Sequence, residues 1–384
     1  MKRPNPGKYE ITAVGGERVR AFVPAALPPR PAIVFDGELQ RKMERATLAL
    51  GRLDGVSALL PDRTLFLYSY IRKEAVLSSQ IEGTQSSLSD LLLFELDEAP
   101  GVPLDDVTEV SNYVAALEHG LERLRGGFPV SNRLVREIHS VLLSRGRGSG
   151  KQPGEFRTSQ NWIGGSRPGN ATFVPPPHTA IPDAMSDLER FLHAEDDGLP
   201  LLARAGIAHV QFETIHPFLD GNGRVGRLLI TLLLCSAGVL REPLLYLSLY
   251  LKKHRQTYYD LLDRVRRDGD WEAWLSFFIE GVDETAGTAV TSAHRLSELF
   301  REDRARVEQI GRRSGSALRV HEALKARPIS SLPAISRATS LSFPAAATAV
   351  GMLASLGIVR ELTGRKRNRL FVYDRFLNLL NEER

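Results

Sequence analysis

The residues able to do chemistry concentrate in one stretch, His216-Pro-Phe-Leu-Asp-Gly-Asn-Gly-Arg-Val-Gly-Arg227. Pro217 and the glycines interrupt helix across 216–221, so this part reads as a loop. From Asn222 the spacing turns helical, with Val225, Leu228, Leu229, Leu232 and Leu233 on one apolar face. The loop therefore ends at a helix N-terminus built on Gly221-Asn222-Gly223. Free backbone N–H groups and the helix dipole there attract an anion, and glycines let it come close. Arg224 and Arg227 are three apart, share a helix face and can bracket a polyphosphate. Asp220 precedes the turn, where a carboxylate can hold a divalent cation that bridges phosphates. His216 is of the near-neutral pKa type and can take the proton of an incoming hydroxyl. Any one of these residues alone is better read as part of a structural loop. Together they make a phosphoryl- or nucleotidyl-transfer site, without distinguishing AMP transfer from other phosphate chemistry.

Helical elements surround this segment. Residues 1–35 are rich in Pro and Gly and read as an irregular arm, with room for a short strand. Asp36 can cap one helix and Asp62 another, which runs through Tyr70 and Ile71 and stops near Glu82-Gly83. Asp90–Glu98 reads as a short amphipathic stretch, followed by a break at Pro100–Pro103. Helical spacing returns over Asp105–Leu124 and, capped by Ser131, to Leu143. Residues 145–180 form a long loop holding a β-hairpin, with its turn near Gly164–Asn170. Further helices are expected over Asp183–His193, Leu201–Thr214, Asn222–Ser236, Pro243–Tyr250, Arg255–Arg267 and Asp270–Arg304. Ser314-Gly-Ser316 reads as a linker. Three helices (Ala317–Lys325, Leu332–Ala338, Pro344–Leu356) and two strands (Ile358–Leu362, Leu370–Tyr373) follow, with a basic tip at Arg365-Lys-Arg-Asn-Arg369. That pattern suggests a winged-helix domain. The expected fold class is mainly α, with an inserted hairpin and a C-terminal winged helix. The domains fall at 1–110, 111–310 and 311–384.

Residues 216–227 resemble the signature of the Fic family, His-x-Phe-x-(Asp/Glu)-Gly-Asn-Gly-Arg-x-x-Arg, with every fixed position present. Gly154-Glu-Phe-Arg157, Ile163-Gly-Gly165 and Val174-Pro-Pro-Pro177 resemble the family's β-hairpin flap. The similarity extends over roughly residues 30–300. It implies a Fic-type helical bundle and transfer of AMP from ATP to a Ser, Thr or Tyr hydroxyl of a target protein or of the chain itself. On that resemblance His216 is the general base and Asp220 binds Mg²⁺ between the α- and β-phosphates. Gly221, Asn222, Gly223, Arg224, Val225, Gly226 and Arg227 bind ATP, with Asn222 and the glycine backbone on the α- and β-phosphates and Arg227 on the γ-phosphate. Phe218 anchors the loop in the core. Ser78-Ser-Gln-Ile-Glu82-Gly83 resembles the family's inhibitory pattern. A glutamate beside Arg227 would form a bidentate ion pair where the γ-phosphate belongs, and Ser78, one turn earlier, would orient that helix end. Tyr258, on a helix that lines the base pocket in similar proteins, is a candidate adenine-stacking ring; Tyr259 reads as packing. The flap would pair with the target backbone as an added strand. His209 reads as a core histidine, and His139, His178 and His193 carry no metal-ligand spacing.

The 384 residues are 42% hydrophobic and 25% charged, ordinary for a globular protein. Cys235 is the single cysteine, in an apolar run, which excludes a disulfide framework and fits a reducing compartment. No signal peptide or membrane span is legible, so a cytoplasmic protein without membrane contact is expected. From Gly311 onward there are 13 Lys+Arg against 5 Asp+Glu. This basic segment makes DNA a candidate partner, although Pro344–Leu356 offers almost nothing to read base edges. A homodimer that masks the inhibitory helix is a further expectation. Two alternatives to an autoinhibited adenylyltransferase stand beside it. One is a DNA-binding regulator whose core senses nucleotide; the other is an enzyme that removes AMP with Glu82 positioning water.

Overall fold

The computed structural model describes residues 3–59, 63–96, 102–194, 198–311, 314–365 and 368–382. The proposed cap Asp62 and the wing-tip residues Lys366 and Arg367 lie outside them. The arm is more regular than its composition suggests. β1 (Gly7–Val14) and β2 (Glu17–Pro24) pair antiparallel in register Gly7↔Pro24 to Val14↔Glu17. β2 turns Val19 and Ala21 into the body while β1 leaves Tyr9 and Ile11 exposed, an alternation that Pro and Gly on either side obscure.

α1 (Gly37–Leu59) starts where expected, with Asp36 Oδ1 accepting from the Glu38 and Leu39 amides. α2 (Arg63–Ile81) ends in a turn at Glu82 and Gly83, where Gly83 takes φ +103°. α3 (Leu88–Phe94) begins earlier than expected, because Ser87 and Asp90 form a reciprocal capping box. α4 (Leu104–Arg125) is continuous, so the expected boundary at 110/111 falls inside a helix. α5 (Asn132–Leu142) is capped by Ser131, whose Oγ accepts from the Leu134 amide.

The loop after α5 carries less strand than expected. Ile163 and Phe173 make one antiparallel bridge around a tip whose turn includes the 3-10 segment Pro168–Asn170. α6 (Ile181–Leu192), α7 (Leu201–Ile215) and α8 (Asn222–Ser236) follow. α9 is shorter and later than expected, Ser248–Lys253, because 243–247 cross the core non-helically, placing Leu244, Leu245 and Tyr246 in it. α10 (Arg255–Asp268) and the 38-residue α11 (Trp271–Glu308) complete the bundle. α7 and α8 are buried on nearly all sides, and the loop between them is half-buried at His216, Leu219 and Asp220.

The C-terminal unit is α12 (Ser314–Ala326), β3 (Ile329–Ser331), α13 (Leu332–Thr339), α14 (Phe343–Ser355), β4 (Arg360–Glu361), β5 (Leu370–Val372) and α15 (Asp374–Asn381). Its strands form an antiparallel sheet in the order β3-β5-β4. The expected linker at 314–316 is instead the first turn of α12, held by Ala317 and Val320 in the core. β3 and α15 were not legible in the sequence. Among the described residues no helix is long and apolar enough to cross a membrane.

Candidate functional site

The connection from α7 to α8 is built by its own side chains. His216 closes α7 with a left-handed φ of +50°, its amide donating to the Phe212 carbonyl. Phe218 is fully buried, and His139 of α5 stacks on it at 3.7 Å and 7°. His139 also fixes the loop by hydrogen bonds. Its Nδ1 accepts from the Gly154 amide at 2.8 Å, so its Nε2–H donates to the Asp220 carbonyl at 3.0 Å. Burial pushes the His139 pKa down to about 4, which keeps this neutral tautomer. Sequence reasoning assigned His139 nothing, because its partners are remote in the chain.

Asn222 takes a different place from the one expected. Its Oδ1 accepts from the Phe218 amide and its Nδ2 donates to the Phe218 carbonyl, both at 2.9 Å. The side chain thus clasps the loop and leaves the first-turn backbone N–H groups of α8 to face a ligand. Val225 is buried with its amide bonded to the Gly221 carbonyl, and a Cβ on Gly226 would lie 2.7 Å from Glu213 Oε1. Both expected ATP residues therefore face the interior, where they fix α8 against α7.

The charged groups are already engaged. Asp220, with its side chain 38% exposed, accepts at Oδ1 from its neighbour's amide (2.6 Å) and from Arg224 Nη2 (3.3 Å). Arg224 also donates to Glu109 Oε2 at 3.0 Å, and Glu109 holds Arg147 at 2.7 Å. Glu109, buried on α4, is a second residue the sequence reading missed. No cluster of three potential metal-ligating side chains exists among the described residues. Asp220 alone, a partly exposed carboxylate beside the cradle, suits Mg²⁺, which takes one or two carboxylates plus phosphate oxygens and water.

Arg227 points back to α2. Its Nε donates to Ser78 Oγ (2.8 Å), and its Nη2 to the Ser78 carbonyl (3.0 Å) and to Glu82 Oε1 (2.6 Å). The ion pair has a single N–O contact rather than the expected bidentate one, with Ser78 taking Nε and sharing Nη2. Burial works against the charge on Glu82, but Arg227 outweighs it and holds the carboxyl below its ordinary value. The same Oε1 lies where a Cβ on Gly223 would be, 2.2 Å away. The Glu82 carboxylate therefore sits on the N-terminal turn of α8.

His216 is enclosed. Burial first, then the nearby Arg266 and Arg157 guanidiniums, push its pKa down to about 3, so the imidazole is uncharged at neutral pH. Its Nδ1 is buried without a partner among the described residues. Tyr258 is not an open ring: it is 1% exposed, packed against His209 and Trp274, with its hydroxyl 2.8 Å from His209 Nε2. The expected stacking face is spent in the core, while Tyr259 beside it is 39% exposed. His209 is fully buried, as its apolar helix implied.

Fold and loop together define a helical protein with an anion cradle at a buried helix N-terminus, one carboxylate beside it and a neutral imidazole behind it. Two family descriptions match this chain: the Fic/DOC family N-terminal over residues 40–122 and the Fic/DOC family over 129–234. The chain belongs to the Fic/DOC family. It is 31% identical over 278 residues to a protein from Culex quinquefasciatus named protein adenylyltransferase Fic, covering 70% of this chain and 51% of that one. A protein of the same name from Aedes aegypti is 30% identical over 222 residues, 56% of this chain and 41% of its own. The chain thus spans about half the length, or less, of these curated relatives. In fold it is similar to a Fic family protein from Desulfovibrio desulfuricans, at TM-score 0.60 and 19% identity over 90% of this chain and 98% of that one. A Fic domain containing signaling protein from Bacteroides thetaiotaomicron aligns at TM-score 0.51 and 18% identity, over 67% and 95%.

Proposed function

We propose that this chain is a protein adenylyltransferase that transfers AMP from ATP to a Ser, Thr or Tyr hydroxyl of a protein, held inactive by Glu82. One observation carries the reading. A carboxylate, Glu82 Oε1, occupies the anion position of the α8 N-terminus and the guanidinium of Arg227 together. Relatives named protein adenylyltransferase support the choice of AMP over other phosphate groups.

The roles follow from position. The free backbone N–H groups at the start of α8 bind the α- and β-phosphates, and Arg227, once released, binds the γ-phosphate. A Mg²⁺ on Asp220 would supply positive charge to the phosphate oxygens. His216, neutral, accepts the proton as the target oxygen attacks the α-phosphorus. The bond to the β-phosphate oxygen breaks, pyrophosphate leaves, and AMP is joined to the protein as a phosphodiester. Glu82 at Arg227 removes the γ-phosphate contact, so ATP lies misplaced for in-line attack.

We read the C-terminal unit as a winged helix from its helix–strand–helix–helix–strand–strand order. The reading as a DNA-binding regulator is the weaker one, since exposed positions on α14 are Phe343, Pro344, Thr348, Gly351, Ala354 and Ser355. Only the Thr and Ser can hydrogen-bond a base edge. The test is incubation of the Glu82→Gly variant with ATP labelled at either the α- or the γ-phosphate. Protein-bound label from the α-position alone is expected. Label from the γ-position would make the chain a kinase, and no label with either would sink the transferase reading for self-modification.

A further inference from the structure

Two guanidiniums at the site belong to none of these steps. Arg157, at the base of the flap, is 2% exposed and has no carboxylate within ion-pair distance among the described residues. Its donors go to carbonyls instead: Nε to His216 (2.9 Å), Nη1 to Ser159 (3.0 Å) and Nη2 to Pro176 (2.6 Å). Ser159 and Pro176 are the two flanks of the flap. The Arg157 amide adds a bond to the Pro217 carbonyl at 2.9 Å. One side chain thus ties both legs of the flap to the backbone of the catalytic loop.

Arg266 of α10 does the same from the opposite side. It is also buried without a carboxylate at ion-pair distance among the described residues. Its Nε donates to Thr214 Oγ1 and its Nη2 to the Glu213 carbonyl, both at 3.2 Å, in the last turn before His216. Its Cζ lies 3.9 Å from the centre of the Phe173 ring. Phe173 is the flap residue that bridges to Ile163, and Val174 next to it accepts from the Phe22 amide of β2 at 2.9 Å. Burying two cations is costly, and packing alone does not ask for it.

Resting on the transferase reading, we propose that Arg157 and Arg266 are positioning residues that couple the flap to His216, so that the strand presenting the target hydroxyl and the imidazole receiving its proton move as one body. The flap has almost no ladder of its own, one bridge only, so its register to His216 must come from elsewhere. The two guanidiniums provide it from both sides. They also face the imidazole with positive charge, Arg157 from the flap and Arg266 from α10, against the carboxylate of Glu82 from the end of α2 and the backbone of Glu213 from α7. The groups that set the flap therefore also favour the unprotonated form that a base requires.

The test uses the full chain without ATP, so it stands whether or not the chain transfers AMP. Hydrogen exchange is followed in peptides spanning 158–176, and the His216 ring resonance, assigned by its loss in His216→Ala, is titrated. In Arg266→Gln, flap exchange is expected to rise roughly 5- to 30-fold, the range for losing one desolvated cation–π contact. His216 is expected to titrate closer to the free imidazole value of about 6.5. Arg266→Lys keeps the charge but not the planar stack, so it should loosen the flap and leave the His216 titration near wild type. This split separates positioning from a general loss of stability. If Arg266→Gln does not fold, Arg266→Lys decides. Flap exchange equal to wild type in Arg266→Lys, or exchange raised equally throughout the chain, overturns the proposal.

Discussion

At the scale of residues, the site is a set of side chains each doing a task its type alone does not disclose. Asn222 illustrates this. Its place in the loop suggests a phosphate ligand, yet both polar atoms of its side chain bind the Phe218 backbone. Asn222→Ala would leave the buried Phe218 amide unsatisfied, at about 1–3 kcal/mol, while the Phe218 carbonyl keeps Asn161 Nδ2 at 3.1 Å. We expect urea unfolding to report a loss of roughly 1–3 kcal/mol, with weakened nucleotide binding; stability equal to wild type would contradict the clasp. The Glu82–Arg227 pair carries a pH dependence of definite sign. The folded-state pKa of Glu82 lies below its usual 4.5. Its contribution is therefore complete above the unfolded value and fades as pH falls through the depressed folded one. With the Glu82 side chain 36% exposed, that contribution is on the order of 1 kcal/mol. Comparing wild type with Glu82→Gln in urea should show this difference at pH 7 and its disappearance towards pH 3. A difference that grows on acidification would refute the pairing.

Among the elements, α2 has a second function beyond packing: its last turn delivers Ser78 and Glu82 to Arg227. Ser78→Ala removes the acceptor for Arg227 Nε and leaves Glu82 in place. We expect it to raise self-labelling above wild type but below Glu82→Gly, measured as initial rates. A rate equal to that of wild type would mean that Ser78 does not help hold the arginine. α8 and α7 were legible in the sequence almost to the residue, because long apolar stretches end at Pro and Gly signals. Short or irregular pieces were not. β3 is three residues long, below any periodicity. Residues 243–247 are as apolar as a helix and are used as a non-helical crossing of the core. Ser314-Gly-Ser316 looked like a linker because only tertiary packing on Ala317 and Val320 makes it helical. Tyr258 failed as a stacking ring for the same reason: burial by Trp274 and His209 is not written in local spacing. Glu109, His139, Arg157 and Arg266 were given no role of their own, since each acts through partners far along the chain.

For the whole molecule, the helix bearing Glu82 is held at both ends. Its C-terminal end meets Arg227, while Phe66 near its start lies edge-on to Phe300 of α11 at 6.2 Å. Phe300 in turn packs on Phe376 (5.1 Å) and Tyr373 (6.0 Å) of the C-terminal unit. That unit is fastened by Asp303, fully buried on α11, which accepts from the Tyr373 hydroxyl at 2.8 Å and pairs with Arg306 and Arg375. Asp303→Ala would take the carboxylate acceptor from the buried Tyr373 hydroxyl and the counter-charge from the half-exposed Arg306 and Arg375, and should cost about 1–3 kcal/mol. A melting temperature within a degree or so of wild type would show that the C-terminal unit is not fastened in this way.

The central claim is that Glu82 occupies the place of a phosphate and thereby silences an otherwise complete site. The most direct measurement is the initial rate of AMP incorporation from α-phosphate-labelled ATP by wild type, Glu82→Gly and Glu82→Gly with His216→Ala, with ATP and Mg²⁺ in excess. The expected result is incorporation in Glu82→Gly at least about 10-fold above wild type, the effect of restoring one charged contact, and none above background in the double variant. Equal rates for wild type and Glu82→Gly, or undiminished incorporation without His216, would contradict it.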